Sequence, residues 1–472
     1  MRVGVIGAGP AGLTAAYQLA KAAQVDVFEA SDAVGGLARS LRLWDQTVDL
    51  GPHRFFSSDA RVNRFWLEIV GRDYKIVERL TRIYYRGRFF DYPLAAGNVL
   101  ANLGPLESAR CVLSYLRQKV LPSPHPAHQQ SFESWVVARF GRRLFEIFFK
   151  SYSEKLWGIP CTQLDADFAA QRIRGFSLGQ AVQGALRLSR TKHRTLVDRF
   201  AYPVQGTGML YERMAEGIRH RGRVWLQSPV ARVLHEGMQI TGLETLDGRA
   251  HSFDHVVSTM PLTLLVRALG PAPPEVEQAA AALRFRNTIL VYLHVDASDL
   301  FPDQWLYIHA PDLQTGRVTN FRNWIPELYG TAKTTIVALE YWCFDGDPIW
   351  SESDEVLIAR ATDEIARAKL SGGAKVLDGR VVRLPRCYPM YAIGYKEHLA
   401  TIVEYLRGFA GLSVIGRYGA FKYNNQDHSI LMGLLAAENV LEGAQHDLWS
   451  VNTDYESYQE SALITESGLE PA

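Results

Sequence analysis

Gly7, Gly9 and Gly12, followed by Glu29, have the spacing that holds a phosphate-bridged dinucleotide. In Gly7-Ala8-Gly9-Pro10-Ala11-Gly12 the first glycine permits a tight turn and the second lets backbone approach a pyrophosphate. The third lets a helix lie close to a strand. The free N–H groups and partial positive charge at the start of that helix would face the phosphates. Glu29 closes a second apolar run and is placed to accept hydrogen bonds from a ribose diol. No carboxylates, histidines or cysteines cluster with metal-ligand spacing, so no metal site is expected. No Ser-His-Asp or Cys-His arrangement is identifiable.

The elements that must position these residues are legible nearby. Residues 3–6 read as a strand, 13–20 as a helix and 25–28 as a second strand, a βαβ unit around the glycine turn. From residue 96 to about 190 the pattern turns helical. Phe132, Trp135, Val136 and Phe140 recur at i, i+3, i+4 and i+8, and Leu144, Phe145, Phe148 and Phe149 extend the apolar stripe. Pro122, Pro124 and Pro126 break that region. After Tyr202-Pro203-Val204-Gln205-Gly206-Thr207-Gly208 strands return at 223–226, 230–235, 240–244 and 251–253, with Asp247-Gly248 as a tight turn. Strands at 289–295 and 335–341 belong to a further unit; a buried strand at 412–415 and a helix over 429–441 follow. The tail beyond Tyr455 reads as frayed.

At 472 residues the chain is too long for one small core. A hydrophobic fraction of 47% and a charged fraction of 21% are those of an ordinary globular protein. A net charge of +1 gives no global field for nucleic acid or an anionic membrane, so anion binding must be local. Cys111, Cys161, Cys343 and Cys387 lie far apart, which suits a reducing compartment. No apolar run approaches the roughly 18 residues of a spanning helix. A cytoplasmic location is expected, without an integral membrane segment.

Gly35-Gly36-Leu37-Ala38-Arg39 follows closely on Glu29, and this second glycine pair with its arginine resembles the flavoprotein family of amine oxidases, carotene desaturases and UDP-galactopyranose mutases. The resemblance implies FAD, held by Gly7, Gly9, Gly12, Glu29, Gly35, Gly36, Arg39 and Val230. Val256-Val257-Ser258-Thr259-Met260-Pro261 resembles the strand by which that family re-enters its FAD sheet. The implied fold is α/β: a discontinuous Rossmann-like FAD-binding domain (1–95, 191–261 and 385–455), a helical insert (96–190), a strand-rich antiparallel insert (262–384) and a tail (456–472).

The run Gly416-Arg417-Tyr418-Gly419-Ala420-Phe421-Lys422-Tyr423-Asn424-Asn425-Gln426-Asp427-His428-Ser429 resembles the closing motif of the mutases, notably the eukaryotic type. That likeness implies that Gly416, Arg417, Asn425, Gln426 and Ser429 line the flavin and that Tyr423 reaches a substrate phosphate. Gly51-Pro52-His53-Arg54-Phe55-Phe56-Ser57 looks like the mutases' histidine loop, with His53 against the isoalloxazine. Tyr92-Pro93-Leu94 resembles the uridine-contacting segment, with Leu94 in place of an aromatic. Trp157 matches a tryptophan near the sugar, and Arg172 a diphosphate-binding arginine. Tyr307 and Arg317 resemble a second tyrosine–arginine pair, and Tyr388 a further phosphate-contacting tyrosine. Ser58 and Ser153 stand where relatives carry histidine and asparagine; together with Leu94 these substitutions make a substrate other than UDP-galactose plausible.

Two guanidinium groups with several phenols are what a diphosphate needs. Arginine is permanently charged and binds phosphate in a planar fork, while phenols donate without adding charge. By this resemblance the protein would be an FAD-dependent nucleotide-sugar mutase, interconverting pyranose and furanose forms through an adduct between N5 of reduced FAD and the sugar. His53, Arg172 and Arg317 would be its catalytic residues. Its partners would be a nucleotide-diphosphate sugar and NAD(P)H or another reductant, with no nucleic acid; homo-oligomerisation is left open. The alternatives are an FAD oxidoreductase of the amine oxidase, desaturase or protoporphyrinogen oxidase type, and a non-catalytic flavin-binding scaffold.

Overall fold

Val3, Val5 and Ile6 are buried in the first strand, Arg2–Ile6, which is central to a sheet of five parallel strands. Across that sheet the order is Leu412–Val414, His255–Ser258, Arg2–Ile6, Gln24–Phe28 and Gly222–Trp225. Neighbouring strands thus come from the beginning, middle and end of the chain. The computed structural model describes residues 1–94, 96–120, 130–167, 199–452 and 463–470. The first helix, Pro10–Leu19, leaves the glycine turn and packs on the closing helix, Gln426–Glu442, through alanines and leucines of one core. That closing helix begins at Gln426, earlier than the apolar pattern suggests, because Asn425 caps it and polar residues fill its first turn.

A seven-stranded sheet forms the second layer, in the order Val376–Pro389, Phe285–Val295, Thr335–Cys343, Arg317–Asn320, Trp305–Ile308, Thr81–Tyr85 and Arg88–Asp91. Two strands before residue 95, Thr81–Tyr85 and Arg88–Asp91, therefore complete a sheet built mainly from residues 285–389. Alternation explains its two covered faces. Ile289, Val291, Leu293 and Val295 join one core with helix Asp354–Arg367. Leu290 and Tyr292 turn the other way, onto Val48, Leu50, Phe200 and Tyr202.

The helical segment includes Ala96–Leu103, Pro105–Val120, Phe132–Phe140 and Ser151–Trp157. Its aromatic stripe is core: Phe132, Phe140, Phe145 and Phe148 are buried. Where a frayed tail was expected, Leu463–Thr465 and Gly468–Glu470 form a hairpin, and the Tyr74 hydroxyl donates to the Thr465 carbonyl at 2.6 Å.

One buried carboxyl links residues far apart in the sequence. Asp49 accepts from the Ser40 hydroxyl at 2.6 Å, the Tyr202 hydroxyl at 2.6 Å and the Thr207 N–H at 3.2 Å. Burial raises its pKa to about 6 from 3.8, although these donors pull the other way. The folded carboxyl holds its proton at a pH where the unfolded one has lost it. Stability is therefore complete below about pH 3.8 and falls as pH rises through about 6, by roughly 3 kcal/mol at 1.36 kcal/mol per unit. Denaturation midpoints of wild type and Asp49→Asn, compared between pH 4 and pH 7, should shift in favour of the amide as pH rises; parallel profiles would rule this out.

Candidate active site

Gly7 adopts φ +94°, and its N–H donates to the Phe28 carbonyl at 2.8 Å, which sets the turn between strand and helix. A methyl group on Gly12 would come 2.0 Å from the Gly7 carbonyl, so the helix can start this close only with glycine there. The second glycine loop closes over the first: a Cβ on Gly36 would lie 3.1 Å from the Gly9 Cα. Gly9 caps the helix with no side chain, leaving its N–H groups available to a ligand. Glu29 is fixed by the Ala8 N–H at 2.8 Å and by the Ser31 N–H and hydroxyl at 2.9 and 2.8 Å. Val230 starts the strand Val230–Glu236, and just before it the Ser228 N–H donates to the Glu29 carbonyl at 2.8 Å. Arg39 reaches Asp32 at 3.3 Å, while its buried Nε has no partner. Gly416, at φ +85°, abuts Ala11 on the first helix. An open helix end, an anchored ribose acceptor and an orphaned guanidinium nitrogen together fit FAD.

The histidine loop lies across the closing motif. Gln426 donates from Nε2 to the His53 carbonyl at 3.2 Å, and its Oε1 accepts from Tyr211 at 2.6 Å and Thr207 at 3.2 Å. Asn425 is exposed and caps the closing helix together with His428, and Ser429 is buried one turn on. The His53 Nδ1 is buried without a partner. Burial, then the positive charges of Arg317 and Arg417, push its pKa down to about 3. His53 is accordingly neutral at physiological pH and suited to shaping and contact rather than to proton transfer.

The large sheet delivers the cationic side. Tyr307 pairs with Arg317 and Arg317 with Glu340 in register on adjacent strands, so the spacing read in the sequence becomes direct cross-strand contact. Arg317 donates from Nε and Nη2 to the two Glu340 oxygens, each at 2.6 Å, and Nη2 lies 3.5 Å from the Tyr388 hydroxyl. Burial opposes the Arg317 charge, but Glu340 outweighs it and holds the guanidinium protonated. Gly51 brings the histidine loop here: its Cβ would come 3.4 Å from Glu340 Oε1.

Aromatic rings extend from this pair in an unbroken series. Tyr92 meets Tyr307 at 4.8 Å between centroids, Tyr307 meets Tyr152 at 5.5 Å, and Tyr152 meets Trp342 at 5.7 Å. Trp342 meets Tyr388 at 6.3 Å, Tyr388 stacks on Tyr423 at 5.4 Å, and both approach Trp157, at 6.3 and 6.2 Å. Arg417 donates to the Cys387 and Asn424 carbonyls at 2.8 and 3.0 Å and lies over Tyr388 and Tyr423. Burial raises the Tyr152 and Tyr388 phenols well above their ordinary range, so they stay protonated.

His53, Tyr92, Trp157, Tyr307, Arg317, Tyr388, Arg417 and Tyr423 therefore converge on one region. Arg172 lies outside the described residues. Glu340, Tyr152 and Trp342 escaped the sequence reading. Only Glu340 left a trace there, as a lone acid within the apolar run Thr335–Cys343, every residue of which is buried.

Removing that acid should strand a buried guanidinium. Glu340→Ala is expected to cost about 3–5 kcal/mol in urea unfolding, and Glu340→Gln clearly less; equal, small losses would show the pair to be weak. The His53 ring should show no NMR titration between pH 5 and pH 8.

Across 421 residues the chain is 24% identical to coproporphyrinogen III oxidase of Mycobacterium tuberculosis, covering 84% of this chain and 89% of that one. A shorter match of 26% over 173 residues links it to a protein named "Probable UDP-galactopyranose mutase" in Klebsiella pneumoniae, over 34% of this chain and 42% of the relative. The crystal structure of a reduced UDP-galactopyranose mutase has the same fold, with a TM-score of 0.84 at 22% identity, covering 96% of this chain and 97% of that one. The model of the flavin containing amine oxidoreductases matches residues 10–441. With the cradle described above, these findings make the chain a member of the flavin containing amine oxidoreductase family and an FAD-dependent enzyme.

Proposed function

We propose that this enzyme is a nucleotide-sugar mutase, interconverting the pyranose and furanose forms of a sugar carried on a nucleoside diphosphate. The observation that carries this reading is the convergence of Arg317, Arg417 and a series of phenols beside the His53 loop. When bound and reduced, the flavin supplies a nucleophile for the anomeric carbon.

Glu340 fixes the plane of the Arg317 guanidinium, so the phosphate ligand is oriented before substrate arrives. Negative charge grows on the diphosphate as it leaves, and a pre-oriented guanidinium offsets it without reorganisation in a site poor in water. Tyr388 and Tyr152 stay protonated and add hydrogen bonds without adding charge. Trp157, fully buried against Tyr388, Tyr391 and Tyr423, excludes water on the sugar side. Retention of the diphosphate by these groups makes its return effectively intramolecular. The second reading, an FAD oxidoreductase, draws on the mycobacterial oxidase, whose similarity covers most of both chains.

Anaerobic incubation of reduced enzyme with a panel of nucleotide-sugars should give ring-size conversion without stoichiometric loss of reductant. Oxygen consumption and net substrate oxidation, with no conversion, would decide for the oxidoreductase. Arg317→Lys keeps a charge for Glu340 but loses the planar guanidinium, whose Nη1 is the nitrogen that Glu340 leaves uncommitted. It should weaken nucleotide-sugar binding about tenfold or more with FAD retained, corresponding to about 1.4 kcal/mol or more; wild-type affinity would remove Arg317 from the substrate site.

A further inference from the structure

The histidine loop carries a second polar side chain that nothing above uses. Arg54 follows His53 directly, and its Nη1 is buried without a hydrogen-bond partner. Among the described residues it forms no ion pair, and its guanidinium lies 5.9 Å from the Phe56 ring centroid. Asp427, an acid whose charge bears on Arg54, lies 3.2 Å from His428 Nδ1. The other groups whose charges bear on Arg54 are the cation Arg79, which opposes its charge, and the phenols of Tyr92 and Tyr307, which favour it. Arg79 lies over the Tyr92 ring at 5.9 Å and donates to the Tyr92 carbonyl at 3.3 Å, and Tyr92 packs on Tyr307. A buried donor without an acceptor is unfavourable by itself. An anion beside Arg54 gives that donor a charge-assisted hydrogen bond, and phenols can donate to the same anion.

We propose that Arg54 is a phosphate ligand of the substrate, taking a phosphoryl oxygen on the Tyr92–Tyr307 side while Arg317 serves the Tyr388 side. This rests on the mutase reading for the identity of the ligand, a nucleoside diphosphate. The anion subsite itself follows from the charges and the orphaned donor. It assigns to Arg54 a role in phosphate recognition that composition and the glycine motifs do not indicate.

The test is binding of UDP and of inorganic pyrophosphate to reduced, FAD-loaded protein, followed by calorimetry over a range of salt. Arg54→Ala should weaken both ligands about tenfold or more and make their affinity less dependent on salt, because one cation is gone. FAD content and the unfolding midpoint report folding separately. If the alanine variant loses flavin, Arg54→Lys carries the test: it keeps the charge but not the planar fork, so UDP affinity should fall while the salt dependence stays. Unchanged affinity for UDP and pyrophosphate in a flavin-loaded variant overturns the assignment and leaves the mutase reading standing. Arg54-dependent pyrophosphate binding in a wild-type protein that converts no nucleotide-sugar supports the subsite and overturns that reading instead.

Discussion

Glu340 places a carboxylate in the middle of a strand whose every residue is buried, and Arg317 on the neighbouring strand meets it with both arms of its fork. Taking two such charges out of water costs several kcal/mol per ion before their attraction is counted. The arrangement persists because the register sets the two residues opposite each other and the fork satisfies both carboxylate oxygens. Around this pair the site takes shape. Gly51 comes against Glu340, the Tyr388 hydroxyl approaches Arg317, and the positive field of Arg317 helps to keep His53 neutral.

The cofactor cradle depends on a different constraint, close approach of backbone. Gly12 touches the carbonyl of Gly7, Gly36 faces Gly9, and Gly416 abuts Ala11 from the far end of the chain. The sheet beneath them needs strands from three remote chain segments, so residues far apart in the chain meet beside the glycine turn. Gln426 ties these layers together, since one amide binds the His53 carbonyl and the Tyr211 and Thr207 hydroxyls. Asp49 does the same between Ser40 and the segment that holds Tyr202 and Thr207.

Buried phenols suit a site that handles a diphosphate. Each gives a hydrogen bond and wide apolar contact, and burial keeps it protonated. Their faces also receive cations, as Arg417 lies over both Tyr388 and Tyr423. On the proposed reading the anion would meet a few guanidinium groups, one of them held by Glu340, among neutral phenols, in keeping with a chain whose net charge is only +1.

Local rules made part of this legible in the sequence. The glycine turn, Glu29, the helical aromatic stripe and the alternating strands depend on φ/ψ and on periodicity, which neighbouring residues determine between them. The closing motif and the histidine loop were visible for the same reason, as contiguous runs with a family likeness. The pairing of Arg317 with Glu340, the placing of Tyr152 and Trp342 between Tyr307 and Tyr388, and the entry of Thr81–Tyr85 and Arg88–Asp91 into the large sheet were not. These depend on strand register across long separations, and a shift of one residue would turn every side chain to the opposite face. The sequence by itself determined which cofactor and which kinds of side chain; only the tertiary structure decided which of them meet, because burial and register are properties of the packed sheet and not of any one segment.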